Sequence, residues 1–153
     1  MMIVKQIMDN AEKKIIARCV LEALPDWFGI PESVEEYIQG SADRVFFCAY
    51  EEDRPVGFLY LKQTGKDTAE LAVMGVLKEY HRKGIGKKLF EAAKDAASQA
   101  GYSFLQVKTV RMGKYEMYDK TNLFYLSLGF KEFEMFPTLW DENNPCQIYV
   151  MAL

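Results

Sequence analysis

Residues 73–93 read VMGVLKEYHRKGIGKKLFEAA, and the parsing of this stretch decides the fold. Val73 to Val76 closes an apolar strand pattern. A long helix follows from about Gly84 to Ala100, with Ile85, Leu89, Ala92, Ala93, Ala96 and Ala100 recurring on one face. Glycine is the poorest helix former after proline. Gly84 and Gly86 nevertheless stand where that helix starts, among His81, Arg82, Lys83, Lys87 and Lys88.

A strand that turns through glycines into a helix is an anion-binding arrangement. First-turn amides have no intrahelical acceptor, and the macrodipole adds partial positive charge. Without a Cβ, glycine lets a phosphate approach those donors. Each hydrogen bond to a charged oxygen contributes about 1.5–3 kcal/mol, against about 1 kcal/mol for a helical glycine. The P-loop pattern fails here, because Gly86-Lys87-Lys88 lacks both its spacing and its hydroxyl. The dinucleotide pattern fails too, since Leu89 stands where its third glycine would be. For a G-x-G alone, a helix start bearing solvated lysines is the bland alternative.

Outward from this junction the chain reads as one α/β domain. Its 153 residues are 50% hydrophobic and 27% charged, an ordinary globular profile. MMIVKQIM is an opening strand. NAEKKIIARCVLEAL is a helix, with Asn10 as N-cap and either Ile15, Cys19 and Ala23 or Ile16, Val20 and Leu24 as its buried stripe. PESVEEYIQG is a second helix. RVFFCAYEE and RPVGFLYLKQ are strands joined by a tight turn at Asp53, and TAELAVMGV leads into the glycine junction. YSFLQVKTV, a helix around YDKTNLFYLSL, and the strands FKEFEMF and CQIYVMAL complete the chain.

Charge and composition narrow the function. The net charge is −3, so nucleic acid is not an expected partner, and the basic run from His81 to Lys88 suits a small polyanion. No apolar run reaches the ~20 residues of a membrane span, and MMIVKQIMDNAEKK lacks a signal-peptide pattern. A cytoplasmic location is expected. Cys19, Cys48 and Cys146 have no metal-ligand spacing and read as buried, reduced thiols. With His81 as the one histidine, no metal centre is expected.

The stretch His81-Arg82-Lys83-Gly84-Ile85-Gly86 resembles the acyl-CoA-binding motif of the GNAT N-acetyltransferases, [Q/R]-x-x-G-x-[G/A], with His81 in the Gln/Arg place. The resemblance extends over the element order of nearly the whole chain and over NLFYLSLGF, residues 122–130. It implies a single domain over 1–153 with a mixed, mostly antiparallel sheet of six to seven strands. Two parallel central strands would be splayed, and about four helices would flank the sheet. The amides of Arg82, Lys83, Gly84, Ile85, Gly86 and Lys87 would cradle the diphosphate of acetyl-CoA, with Lys83, Lys87 or Lys88 adding charge. Backbone groups of Met74 and Val76 would hold the pantetheine arm, as a strand holds a peptide, and Met74 would supply the oxyanion donor. Gly75 then marks either a bulge or a packing glycine.

The implied reaction moves an acetyl group to a primary amine of a small molecule or peptide, by direct attack in a ternary complex. An alkylamine with pKa about 10 is rarely neutral at pH 7, so a base helps. Glu70, fourteen positions before Gly84, has the offset of the general-base glutamate in the histone-acetylating branch of the family, whose base varies from member to member. Tyr125 precedes Gly129-Phe130 by the family's Y-x-x-x-G-F spacing and is the general-acid candidate. Many members carry asparagine seven residues before that tyrosine. Here Tyr118 stands there, with Asn122 nearby on another helix face. Acceptor walls are expected from PDWFGIPES, with Trp27 and Phe28, and from the late loops RMGKYEMY and PTLWDENNPC, with Tyr115 and Trp140. A homodimer is compatible with all of this. A non-catalytic acyl-CoA-binding or sensing module is the alternative from another class.

Overall fold

The structure, a computed structural model, describes residues 1–153. Its elements are β1 (Met2–Ile7), α1 (Asn10–Glu22), α2 (Pro31–Gly40), β2 (Phe46–Glu51), β3 (Arg54–Gln63), β4 (Thr68–Val76), α3 (Ile85–Gln99), β5 (Phe104–Val110), α4 (Glu116–Ser127), β6 (Lys131–Asp141) and β7 (Asn144–Ala152). The strands form a seven-stranded sheet in the order β1-β2-β3-β4-β5-β7-β6. Only β4 and β5 run parallel among the registered pairs. That is the mixed, mostly antiparallel sheet with four helices that the sequence implied. No helix is long and apolar enough to cross a membrane.

The chain divides into two compact units, Met1–Lys62 with Ala72–Ala96, and Gln63–Leu71 with Ala97–Leu153. In the first, β2 and β3 form a hairpin whose turn residues Glu52 and Asp53 both have positive φ, 50° and 75°. Such a turn matches the twist of the flanking strands. Away from the turn, Phe46 and Phe58 stack on one face of the hairpin with ring centroids 5.3 Å apart. The N-cap of helix α1 is Asp9 rather than Asn10, because the Asp9 carboxylate accepts the Glu12 N–H at 2.8 Å. Of the two stripes open from sequence, the buried one is Ile16 and Val20 of α1 with Leu24 just beyond its end; Ile15 is exposed and so is Cys19. The expectation of three buried thiols therefore holds only for Cys48 and Cys146.

Two glycines set how closely helices approach β3 and β4. A Cβ on Gly75 would meet Val20 Cγ1 at 3.1 Å and Leu24 Cδ1 at 3.3 Å, so Gly75 admits α1 against the strand. It is a packing glycine. A Cβ on Gly57 would meet Leu89 Cδ1 of α3 at 3.3 Å. Helix α3 buries Ile85, Leu89 and Ala93 as expected, together with Phe90 and Ala97; Ala100 lies outside it and is exposed.

In the second unit, β5 and β7 pair along seven residues, from Phe104↔Ala152 to Val110↔Cys146. The parallel ladder of β4 with β5 covers only Thr68↔Phe104, Ala69↔Leu105 and Glu70↔Gln106. PTLWDENNPC is not a loop. It is the end of a long hairpin, in which Asp141 opposes Asn144 across a two-residue turn and accepts the Asn143 N–H at 2.8 Å. Pro137 is tolerated because β6 is the edge strand, where one missing donor costs no ladder bond.

Candidate active site

The glycine junction lies wholly in the first unit. After β4, residues Lys78–Tyr80 form a single 3-10 turn. Arg82 and Gly84 then take positive φ, 61° and 76°, before α3 starts at Ile85. Left-handed geometry is unfavourable for an arginine, whereas Gly84 adopts it freely and a Cβ there would meet nothing within 4 Å. The first amide of the junction to find a backbone acceptor is that of Lys88, which donates to Gly84 O at 3.1 Å. The amides of Arg82, Lys83, Gly84, Ile85, Gly86 and Lys87 have none. Arg82, Lys83, Lys87 and Lys88 form no ion pair; the Lys83 ammonium lies 5.4 Å above the Tyr80 ring. Open donors and unneutralised cations together suit a diphosphate.

Next to the loop, the peptide between Val76 and Leu77 shows how β4 presents its edges. The Leu77 N–H donates to Val56 O of β3 at 2.9 Å. The Val76 carbonyl therefore points to the other edge, and by alternation so does that of Met74. His81 Nε2 donates to this Val76 carbonyl at 2.7 Å, and the Trp27 ring meets the imidazole edge-on at 5.5 Å. Ile85 is buried, so only its backbone faces the junction.

The second unit holds Glu70 and Tyr125. Glu70 is buried, and its Oε1 accepts from Gln106 Nε2 at 2.8 Å and pairs with the Lys108 ammonium at 3.1 Å. Burial pushes the thiol of Cys146 up to about 11, with Lys108 opposing and Glu70 adding to the rise. Tyr125 is buried beside Phe130, Phe124 and Tyr149, and burial raises its phenol above the ordinary tyrosine range. Its hydroxyl makes no hydrogen bond within the protein, and since no enclosed side-chain polar atom lacks a partner, that oxygen keeps a path to solvent. Asn122, fully buried, accepts from the Tyr149 hydroxyl at 2.6 Å and donates to Val110 O at 2.8 Å and Tyr118 O at 2.6 Å.

The family model for the acetyltransferase (GNAT) domain matches residues 42–132, which include β4, the glycine junction and Tyr125. The chain belongs to the GNAT acetyltransferase family. An uncharacterized N-acetyltransferase from Chlorobaculum tepidum is 29% identical over 120 residues, covering 76% of this chain and 70% of that one. Among solved structures, a Desulfovibrio desulfuricans protein of the GNAT family superposes with a TM-score of 0.79 at 19% identity, over 99% of both chains. An aminoglycoside 6'-N-acetyltransferase complexed with coenzyme A gives 0.75 at 18% identity, over 98% of this chain and 96% of that chain. At such identities the two structures establish the fold, and the family model establishes the membership.

Within this GNAT chain, the expected cofactor residues from Met74 to Lys87 gather in one unit. Of the expected acceptor residues, Trp27 and Phe28 belong to the first unit and Tyr115 and Trp140 to the second. Trp27 packs on His81, Phe28 meets Tyr37 edge-on at 6.1 Å, Tyr115 meets Tyr118 at 6.0 Å, and Trp140 stands half-exposed near the tip of the β6–β7 hairpin. Gln106 and Lys108 were missed from sequence. The signal was present: in FLQVKTV they alternate with the buried Leu105, Val107 and Thr109, which places Gln106 and Lys108 together on one face of the strand. Asn122 holds α4 to β5 and β7 rather than facing outward.

Proposed function

We propose that residues 1–153 act as one acetyl-CoA-dependent N-acetyltransferase, moving an acetyl group to a primary amine of a small-molecule or peptide acceptor in a ternary complex. The observation that carries this reading is the run of amides from Arg82 to Lys87, without backbone acceptors and flanked by unpaired cations, in a chain of the GNAT family. In this reading those amides and Lys83 or Lys87 bind the diphosphate. Backbone groups of Met74 and Val76 pair with amides of the pantetheine arm, and the Met74 N–H donates to the carbonyl oxygen as it gains charge. Glu70 receives the amine's proton through its second oxygen, and Tyr125 returns a proton to the departing thiolate. Trp27, Phe28, Tyr115 and Trp140 bound the acceptor, where aromatic faces suit an ammonium ion. The neighbour solved with coenzyme A supports the donor class by analogy. A cytoplasmic setting agrees with three free cysteines.

The test is thermal unfolding with CoA, acetyl-CoA or ATP, followed by thiol release and product mass spectrometry over a panel of amines. A ligand at 100 times its Kd stabilises the native state by about 2.7 kcal/mol. Stabilisation by CoA but not ATP, with acetylated product, is expected. Stabilisation without turnover on any amine would favour the acyl-CoA-binding or sensing module, and a larger shift with ATP would overturn the donor assignment.

A further inference from the structure

The Val76 carbonyl is oriented by covalent geometry. Its peptide partner, the Leu77 N–H, is committed to Val56 O of β3 at 2.9 Å, so the oxygen must face the opposite edge of β4. There it accepts the His81 Nε2–H at 2.7 Å. A carbonyl offers no proton, so the imidazole is fixed with its hydrogen on Nε2. Two further contacts hold the residue. Its backbone amide donates to Lys78 O at 3.2 Å, and Trp27 meets the ring edge-on with centroids 5.5 Å apart. His81 is nonetheless exposed, since it lies on the rim and not in the core.

A five-membered ring seated on that carbonyl occupies the edge along which an extended, amide-bearing chain would add to β4. Strand addition works through main-chain groups of the edge, and Val76 O is one of the few that β4 presents after Glu70. We infer that His81 is a displaceable strap: in the free protein it holds the Val76 carbonyl, and it yields that acceptor to an amide N–H of the incoming pantetheine arm. This rests on the acyl-CoA reading above. Loop and strand are thereby linked, because the residue that leaves Val76 directly precedes Arg82 and the amides that bind the diphosphate. An arm-bearing ligand must release the strap. A ligand with the same adenosine and phosphates but no arm does not.

His81 is the only histidine of the chain, so its imidazole nitrogen signals need no assignment. The experiment titrates the full-length protein, labelled with 15N-histidine, with CoA and separately with adenosine 3',5'-bisphosphate. Calorimetry runs alongside on wild type, His81→Ala and His81→Gln. The expected result is a change of the Nε2 signal away from the locked tautomer with CoA and none with the bisphosphate. His81→Ala should bind CoA about three- to tenfold more tightly, the size of one modest hydrogen bond no longer surrendered, and should bind the bisphosphate unchanged. His81→Gln, which can donate to the same carbonyl, should restore most of the wild-type affinity. An unaltered imidazole signal at CoA saturation, or weaker CoA binding by His81→Ala with its fold intact, overturns the strap while leaving the acyl-CoA reading in place. Failure of wild type to bind CoA overturns both.

Discussion

The Lys108 ammonium stands 3.1 Å from Glu70 Oε1, and Lys108 follows by two residues along β5 the last rung of the parallel ladder, Glu70↔Gln106. The carboxylate is buried, and both of its partners use the same oxygen. Two readings of Glu70 have to be separated, the observed ion-pair partner at the end of the ladder and the proposed acceptor of the amine's proton. Lys108→Met should cost about 1–3 kcal/mol, less than the 3–5 kcal/mol of a fully buried pair because Gln106 stays and the lysine is partly solvated. Glu70→Gln should lower turnover by about 10²-fold or more if the free oxygen is the base. Urea unfolding and steady-state kinetics on both variants decide. Turnover within twofold of wild type in Glu70→Gln, with reduced stability, would leave the residue only its structural part.

Asn122 makes a sharper stability prediction. Its side chain joins three elements through the Tyr149 hydroxyl and the carbonyls of Val110 and Tyr118, with no exposure to water. Replacement by alanine strands a buried phenol and removes two donated bonds. Each unsatisfied buried group costs about 1–3 kcal/mol, so Asn122→Ala should lose about 3–5 kcal/mol. Tyr149→Phe alone should lose about 1 kcal/mol, and the double variant less than the sum. A strictly additive cycle would mean that the bond between the two side chains contributes nothing.

Periodicity and turn chemistry made most of the fold legible. β3, β4 and α2 fall on the residues that alternation, Pro31 and Gly40 mark. The failures have specific causes. The register of α1 was open because apolar residues fill two adjacent stripes, and only the Asp9 cap and the Gly75 gap distinguish them. PTLWDENNPC looked like a loop because proline, acids and asparagines cluster there, whereas an edge strand accepts all of them. At the site, the glycine junction was readable because its chemistry is local in sequence. The contacts of Glu70 with Gln106 and Lys108, and of His81 with Val76 and Trp27, depend on which faces and edges meet. A single sequence does not state that.

The glycines differ in what they do, and alanine separates them. At Gly84 an added methyl meets no atom within 4 Å, but φ is +76°. Alanine there should cost about 1–2 kcal/mol of backbone strain. Loss of one charge-assisted hydrogen bond would also weaken CoA binding about 10- to 100-fold. At Gly75 the methyl meets Val20 and Leu24 at 3.1 and 3.3 Å, so overpacking should cost about 1–3 kcal/mol. Because α1 and β4 would be pushed apart there, the loop amides themselves would be untouched. Calorimetric CoA titration should thus show a large change for Gly84→Ala and a small one for Gly75→Ala. Equal affinities in the two variants would remove the loop from the binding site.

Tyr125 allows chemistry and stability to be read apart. Its ring is packed among Phe124, Phe130 and Tyr149, yet no partner holds its hydroxyl. Tyr125→Phe keeps the packing and breaks no internal hydrogen bond, so stability at pH 7 should change by less than about 1 kcal/mol. Turnover should fall by about 10²–10⁴-fold if the phenol protonates the thiolate. The pH dependence has a definite sign. Burial raises the folded-state pKa above the unfolded value of about 10. The stability linked to this residue is therefore complete below pH ~10 and declines as pH rises beyond it, because the unfolded chain releases the proton first. The phenylalanine variant should lose that alkaline decline. Its acid would equally be absent from the rate profile, while the wild-type phenol stays protonated across the physiological range. Unchanged turnover in Tyr125→Phe, measured on an amine that wild type acetylates, would assign the proton donor elsewhere and leave Tyr125 a core residue.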